Sequence, residues 1–239
     1  MRTDTPLRVH WLRHAKVASH RGDLPLTDEG RQEVERAGQQ FSRKCMPGEI
    51  VAIVHAPTQR TRETALELYC SMTRVDDEVL HPKVALLAPV ENMAVRNPDI
   101  YVAGIRVELV SSAEALAEQI PFSGLGPEQL SQLPFFKGFW SDPDRIGYWV
   151  NHPNPPGEDA DAVARRLLTF AVSLLDLPRV QPRRYICVTH SPTMRAFLRR
   201  YLLGYDPGEP EYLEAVDVDF HSDGSCTIQY RGEHANLTL

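Results

Sequence analysis

The residues best suited to chemistry in this chain are a few histidines and arginines. Arg13 and His14 stand side by side in VHWLRHAKVA, Arg60 lies in HAPTQRTRETA, and His190 closes the run YICVTH. A neutral imidazole is a nucleophile, and imidazoles are neutral over much of the range around pH 7. A guanidinium is a planar fork whose N–H groups match the oxygens of a phosphoryl group. Two arginines, His14, His190 and a third histidine, His55, would together form an oxyanion pocket if the fold gathered them. Each signal is weak alone. An Arg-His pair arises often by chance, an arginine on a helix is usually solvated, and a histidine closing a strand is usually structural. His10 and His14, four residues apart, share a face of a regular strand, but no carboxylate cluster or third ligand accompanies them, so neither a metal nor another cofactor is expected.

The weight lies in placement, which depends on the elements. Leu7, Val9 and Trp11 alternate with more polar neighbours, predicting a strand that ends near Arg13. Thr27 is an expected N-cap, with Asp28 and Glu29 in the first turn of a helix over residues 28 to 44. Residues 49 to 54 form a buried-type strand ending at His55, and Ala56-Pro57-Thr58 opens a second helix. Later, residues 160 to 176 read as helical and Tyr185 to Thr189 as a strand ending at His190. Ser191 and Pro192 suit the N-cap and first turn of a further helix that Gly204 terminates. Residues 212 to 220 and 225 to 231 flank the turn HSDG and predict a hairpin.

Strand–helix units in series imply an α/β fold: a three-layer αβα sandwich with a mostly parallel central sheet and an antiparallel C-terminal hairpin. The stretch from about 75 to 157, with PFFKGFW and NHPNPPGED, shows no βα unit and reads as an inserted cap within a single domain over residues 1–239. Ligands of open α/β sheets bind outside the carboxyl ends of the strands, where Arg13-His14, His55 with Arg60, and His190 are expected. Helix N-termini there add backbone N–H groups that favour an anion.

The bulk numbers set bounds. The 239 residues are 42% hydrophobic and 24% charged, ordinary for a globular chain, and the net charge of −6 argues against a general nucleic-acid binder. Four separated cysteines form no CxxC pair and read as reduced thiols, which points to the cytoplasm. The N-terminal run has no apolar signal segment, and no run is long enough to span a bilayer, so no membrane partner is expected.

LRHAK with PLTDEG, then HAPTQRTRETA, PPGED and VTHS, resembles the histidine phosphatase superfamily in its phosphoglycerate-mutase-like branch, in the right order through nearly the whole chain. The resemblance implies a phosphate pocket of Arg13, His14, Arg60 and His190. It also implies an acid, for which Glu118 in LAEQIPFSGL fits best, with Glu108 in reserve. Ala15 stands where the family has glycine, and Ala56 where it commonly has serine, with His55 expected to supply the lost polar contact. Ser19 or His20 would stand in for the family's asparagine.

The implied activity is a phosphomonoesterase that hydrolyses a small phosphorylated metabolite through a phosphohistidine on His14. Arg13, Arg60 and a protonated His190 would neutralise the phosphoryl oxygens, and Glu118 would act as general acid and base. Ser191, His55 and Arg21 are expected to touch substrate. From the cap, Lys137, Phe136, Trp140, Arg145 and Trp149 are candidates for contact, and equally for cap packing. A phosphomutase of the same fold and a non-catalytic phospholigand-binding module stay open as alternatives. The expected partner is the small phosphorylated substrate, and homodimerisation is left open.

Overall fold

The computed structural model describes residues 7–19, 22–73, 84–178 and 180–239. β1 (Leu7–Arg13) leads through a loop to α1 (Asp28–Lys44), capped as the sequence predicts: Thr27 accepts a hydrogen bond from the Gly30 N–H. β2 (Ile50–His55), α2 (Gln59–Thr73) and β3 (Ala85–Glu91) follow. A helical layer then intervenes, built from the hairpin β4 (Ile100–Val102) and β5 (Ile105–Val107) and the short helices α3 (Ala113–Gln119), α4 (Pro127–Ser131), α5 (Pro134–Ser141) and α6 (Arg145–Asn151). The chain returns to the sheet through α7 (Ala160–Ser173), β6 (Arg183–Thr189) and α8 (Ser191–Leu198), and ends in β7 (Ala215–Phe220), β8 (Ser225–Tyr230) and β9 (Glu233–Thr238).

The seven-stranded sheet runs β3-β2-β6-β1-β7-β8-β9. Its first four strands are parallel, and β7, β8 and β9 join antiparallel. Alternation along the strands sends side chains to two cores. Val9, Trp11, Val54 and Cys187 pack with Leu167 and Ala171 of α7 and with Met194 and Phe197 of α8. Leu12, Val51, Ile53, Ile186 and Val188 pack on the other face with Val34 and Phe41 of α1 and with Ala65, Leu68 and Met72 of α2. This is the expected three-layer arrangement. A third core holds the cap together around Phe136, Phe139, Trp149 and Leu116.

Four details differ from the sequence reading. β3 lies inside the stretch 75–157 expected to hold no βα unit, yet it extends the parallel sheet after α2. Its register on β2 slips between Ala52 and Val54, where Ala88 and Pro89 are bulged out; the proline is tolerated at this edge and hid the strand. β9 was not anticipated, because EHANLT has little apolar alternation. Arg231 and Gly232, both at positive φ, make the tight turn that returns it onto β8. The helix expected over 160–176 closes at Ser173 and finishes in a 3₁₀ turn, Leu174–Asp176. Finally, His190 rather than Ser191 is the N-cap of α8; Ser191 is its first residue, and a π-helical turn, Arg199–Leu203, leads to Gly204 in the left-handed region at φ 76°.

His10 belongs to the sheet's interior. Its Nδ1–H donates to Asp217 Oδ1 at 2.6 Å and its Nε2 accepts from Arg184 Nη1 at 2.9 Å, while Arg184 pairs with the buried Glu49.

Candidate active site

β1, β2 and β6 are neighbours and parallel, so their carboxyl ends open on one rim. Arg13 closes β1 opposite Thr189, the last residue of β6, and the His14 N–H donates to the Thr189 carbonyl at 3.0 Å. His14 and His190, each one residue past its strand, are thereby adjacent: their ring centroids lie 5.4 Å apart. Arg60 enters from the first turn of α2, its Nη2 donating to His190 Nδ1 at 3.4 Å. Arg13, His14, Arg60 and His190 line one cavity of about 500 Å³, with Thr58 and Ser191 on the floor and Glu108, Val110, Glu118, Phe139, Arg145 and Ile146 on the cap side.

The local geometry sets the state of each imidazole. His14 Nδ1 lies 2.8 Å from the Ala15 carbonyl and must donate to it, so the neutral ring carries its lone pair on Nε2. Ala15 is accommodated in place of glycine because its backbone is not in the positive-φ region. Its N–H is held by Thr64 Oγ1 at 3.0 Å. Since Arg60 is always a donor, His190 Nδ1 accepts, and its Nε2–H faces Thr58 Oγ1 at 3.4 Å.

Arg13 is buried and Arg60 is partly buried. Burial pushes the Arg60 guanidinium below its ordinary value, opposed by the charges of Asp23 and Glu108. Asp23 pairs with Arg60 Nη1 at 3.2 Å and also accepts the Gln59 N–H at 2.7 Å, capping α2. Arg13 donates to the Pro210 carbonyl, pairs with Glu209 through Nη2 at 2.6 Å, and lies over the Tyr212 ring at 4.2 Å. Arg13 Nε and Arg60 Nε are buried without a hydrogen-bond partner among the described residues.

The remaining expected residues divide. Ser191 lines the cavity and donates to Glu209 Oε2 at 2.6 Å. His55 is buried behind the rim with its Nδ1–H turned to the Ala56 carbonyl at 2.8 Å, and it is not among the cavity residues; Thr58 supplies the polar contact assigned to it. Arg21 and His20 lie outside the described residues. Of the cap candidates, Arg145 reaches the cavity. Phe136 and Trp149 are core residues, Trp140 donates its indole N–H to the Val110 carbonyl, and Lys137 is exposed away from the cavity. Asp23, Asn97 and Glu209 went unread in the sequence, since none sits in a motif with a spacing of its own, and Thr58 and Phe139 were not read as cavity residues although HAPTQRTRETA and PFFKGFW contain them.

Both acid candidates line the cavity. Glu118 is exposed on α3, whereas Glu108 is half-buried after β5 and accepts from Asn97 Nδ2 at 2.6 Å and Arg106 Nη2 at 2.9 Å. The Gln119 side chain bonds the Glu108 backbone N–H and C=O, tying the two segments together.

Residues 8–77 match the model of the histidine phosphatase superfamily (branch 1). No match was found among the curated proteins. Among solved structures, the chain is similar to the product of an open reading frame of Mycobacterium tuberculosis, at 18% identity and a TM-score of 0.51, covering 97% of this chain and 96% of that one. It is also similar to phosphoglycerate mutase from Bacillus anthracis, at 13% identity and a TM-score of 0.52, covering 99% and 93%. The likeness to the histidine phosphatase superfamily, branch 1, thus covers residues 8–77, and the whole chain shares the fold of the phosphoglycerate mutase.

Proposed function

We propose that the protein is a phosphomonoesterase acting on a small phosphorylated metabolite through a phosphohistidine on His14. The observation that carries this is the His14 ring, fixed by the Ala15 carbonyl so that Nε2 holds the lone pair, in one cavity with Arg13, Arg60 and His190. Nε2 attacks phosphorus, the N–P bond forms, and the bond to the ester oxygen breaks. Glu118 gives the leaving oxygen its proton, then takes one from the water that cleaves the N–P bond and frees His14. The guanidinium groups meet the charge on the transferring phosphoryl oxygens, where removing one preorganised donor typically raises the barrier by about 3–4 kcal/mol. The unpartnered Nε–H groups of Arg13 and Arg60 fit an anion site, because buried donors without acceptors cost free energy. A bound phosphoryl dianion favours a protonated His190, and Arg60 would then turn from its Nδ1 to the substrate. Glu108 is the alternative acid, supported by its electrostatic interaction with Arg60.

The test is release of phosphate from para-nitrophenyl phosphate and a panel of sugar, nucleotide and peptide phosphates. Wild type is expected to turn over at least one and His14→Ala none. Equal turnover by both proteins, or none by either between pH 4 and 9, would remove the proposal. Product that is an isomer instead of free phosphate would make the protein a mutase.

A further inference from the structure

The loop between Gly204 and β7 brings a carboxylate onto the residues proposed to hold the phosphoryl group. Glu209 Oε1 accepts from Arg13 Nη2 at 2.6 Å, and Oε2 accepts from the Ser191 hydroxyl at 2.6 Å and from Arg195 Nη1 at 3.5 Å. Its side chain is 49% exposed and lines the cavity, while the Arg13 side chain is only 7% exposed. One carboxylate therefore spans a guanidinium and a hydroxyl at the N-terminus of a helix, which is the recognition a phosphoryl group would use.

We infer that Glu209 is an internal counter-ion that a substrate's phosphoryl group must displace from Arg13 and Ser191. This rests on the phosphatase reading of the cavity and adds to it a residue that tunes anion affinity. The other carboxylate on a cavity arginine, Asp23, is different in kind. It also accepts a backbone N–H, that of Gln59, and stays as the cap of α2 when the ligand arrives. Glu209 is held through side-chain contacts alone among its described hydrogen bonds, and half of it already faces water. A phosphate dianion brings more charge and more acceptor oxygens to Arg13 than a carboxylate does, so it can take over both contacts while Glu209 turns to solvent. In exchange, Arg13 is never left as a buried, unpaired cation when no substrate is bound.

The opposite role would have Glu209 stay in place and hold Arg13 in its working orientation. The two roles predict opposite signs. The probe is inorganic phosphate, titrated calorimetrically into the 239-residue chain at fixed ionic strength, in wild type, Glu209→Gln and Glu209→Ala, with thermal midpoints recorded to verify folding. Removing a half-exposed competing charge is expected to tighten phosphate binding about three- to tenfold in both variants. Unchanged or weaker binding in variants that melt like wild type would overturn the inference. A variant that does not fold is replaced in the comparison by the other, and loss of folding in both would mark Glu209 as structural and overturn it too. Absence of phosphate binding in all three proteins would first remove the phosphoryl reading of the cavity, and the inference with it. Tighter binding in the variants without turnover of any ester would leave the counter-ion in place and defeat only the catalytic claim.

Discussion

At the scale of residues, the cavity holds His14, the proposed nucleophile, whose tautomer is set by the Ala15 carbonyl, and two candidate acids in different surroundings. Glu118 is exposed and Glu108 is held by Asn97 and Arg106. An acid that protonates the leaving oxygen matters most when that oxygen leaves poorly. Glu118→Gln is therefore expected to lower kcat on an alkyl phosphate by about 10²–10⁴ and to affect para-nitrophenyl phosphate far less. Glu108→Gln should not show that dependence on leaving group, and steady-state kinetics on the two esters would reverse the assignment if it did. Arg13, His14 and His190 were legible because each closes or directly follows a strand, and Arg60 because it lies in the first turn of the helix after one, so hydrophobic patterning located them. Glu209 and Asp23 were not, since they sit on loops whose path is set by tertiary contacts. His55 misled for the opposite reason. It closes β2 where His14 stands one residue past β1, and its ring is buried against the Ala56 carbonyl, outside the cavity wall.

At the scale of elements, α1 supports the loop that follows His14. A Cβ at Gly30 would meet the Lys16 carbonyl oxygen at 2.5 Å, and the Thr27 N–H donates to that same carbonyl at 3.0 Å. Gly30→Ala has to push the backbone two residues beyond His14, so it should cost about 1–3 kcal/mol of stability in urea titration and reduce turnover as well. Thr27→Ala removes the cap and a long hydroxyl contact to the Lys16 carbonyl but keeps the backbone bond to it, and should cost about 1 kcal/mol with little change in turnover. Strands and helices of the sandwich were readable because their apolar periods are clean. β3 and β9 were not: an edge strand buries little, its composition is polar or broken by Pro89, and only pairing to a neighbour defines it.

At the scale of the whole molecule, Arg195 joins the cap to the sheet. It is 1% exposed, meets Asp144 through Nη1 and Nη2 at 2.9 and 2.5 Å, and meets Asp206 through Nε and Nη2 at 2.8 and 2.5 Å. Asp144 caps α6, which carries Arg145 and Ile146 to the cavity, and Asp206 lies on the loop of Glu209. Arg195→Met leaves the largely buried Asp206 without its cation and should destabilise the fold by about 3–5 kcal/mol, measured by chemical denaturation, and raise KM. A second tie is acid-sensitive. Hydrogen bonds from Arg96 hold Asp99 down to about 2, from an ordinary 3.8. Its folded value lies below its unfolded one, so its stabilisation is complete above about pH 4 and is lost as the pH falls towards 2. Amides of β4 and β5 should accordingly lose hydrogen-exchange protection between pH 5 and pH 2.5, beyond the change in intrinsic rate. A cap over one end of the sheet was expected from the sequence, but the charged pairs that hold it were not, because pairs between distant segments leave no periodic mark.

The central claim is that His14 itself takes the phosphoryl group. Rapid quench of the protein with a ³²P-labelled ester, followed by peptide mapping under basic conditions, tests it directly. The account predicts label on His14 that is labile to acid, stable to base and absent from His14→Ala. Turnover without a labelled enzyme, or label on any other residue, would contradict it.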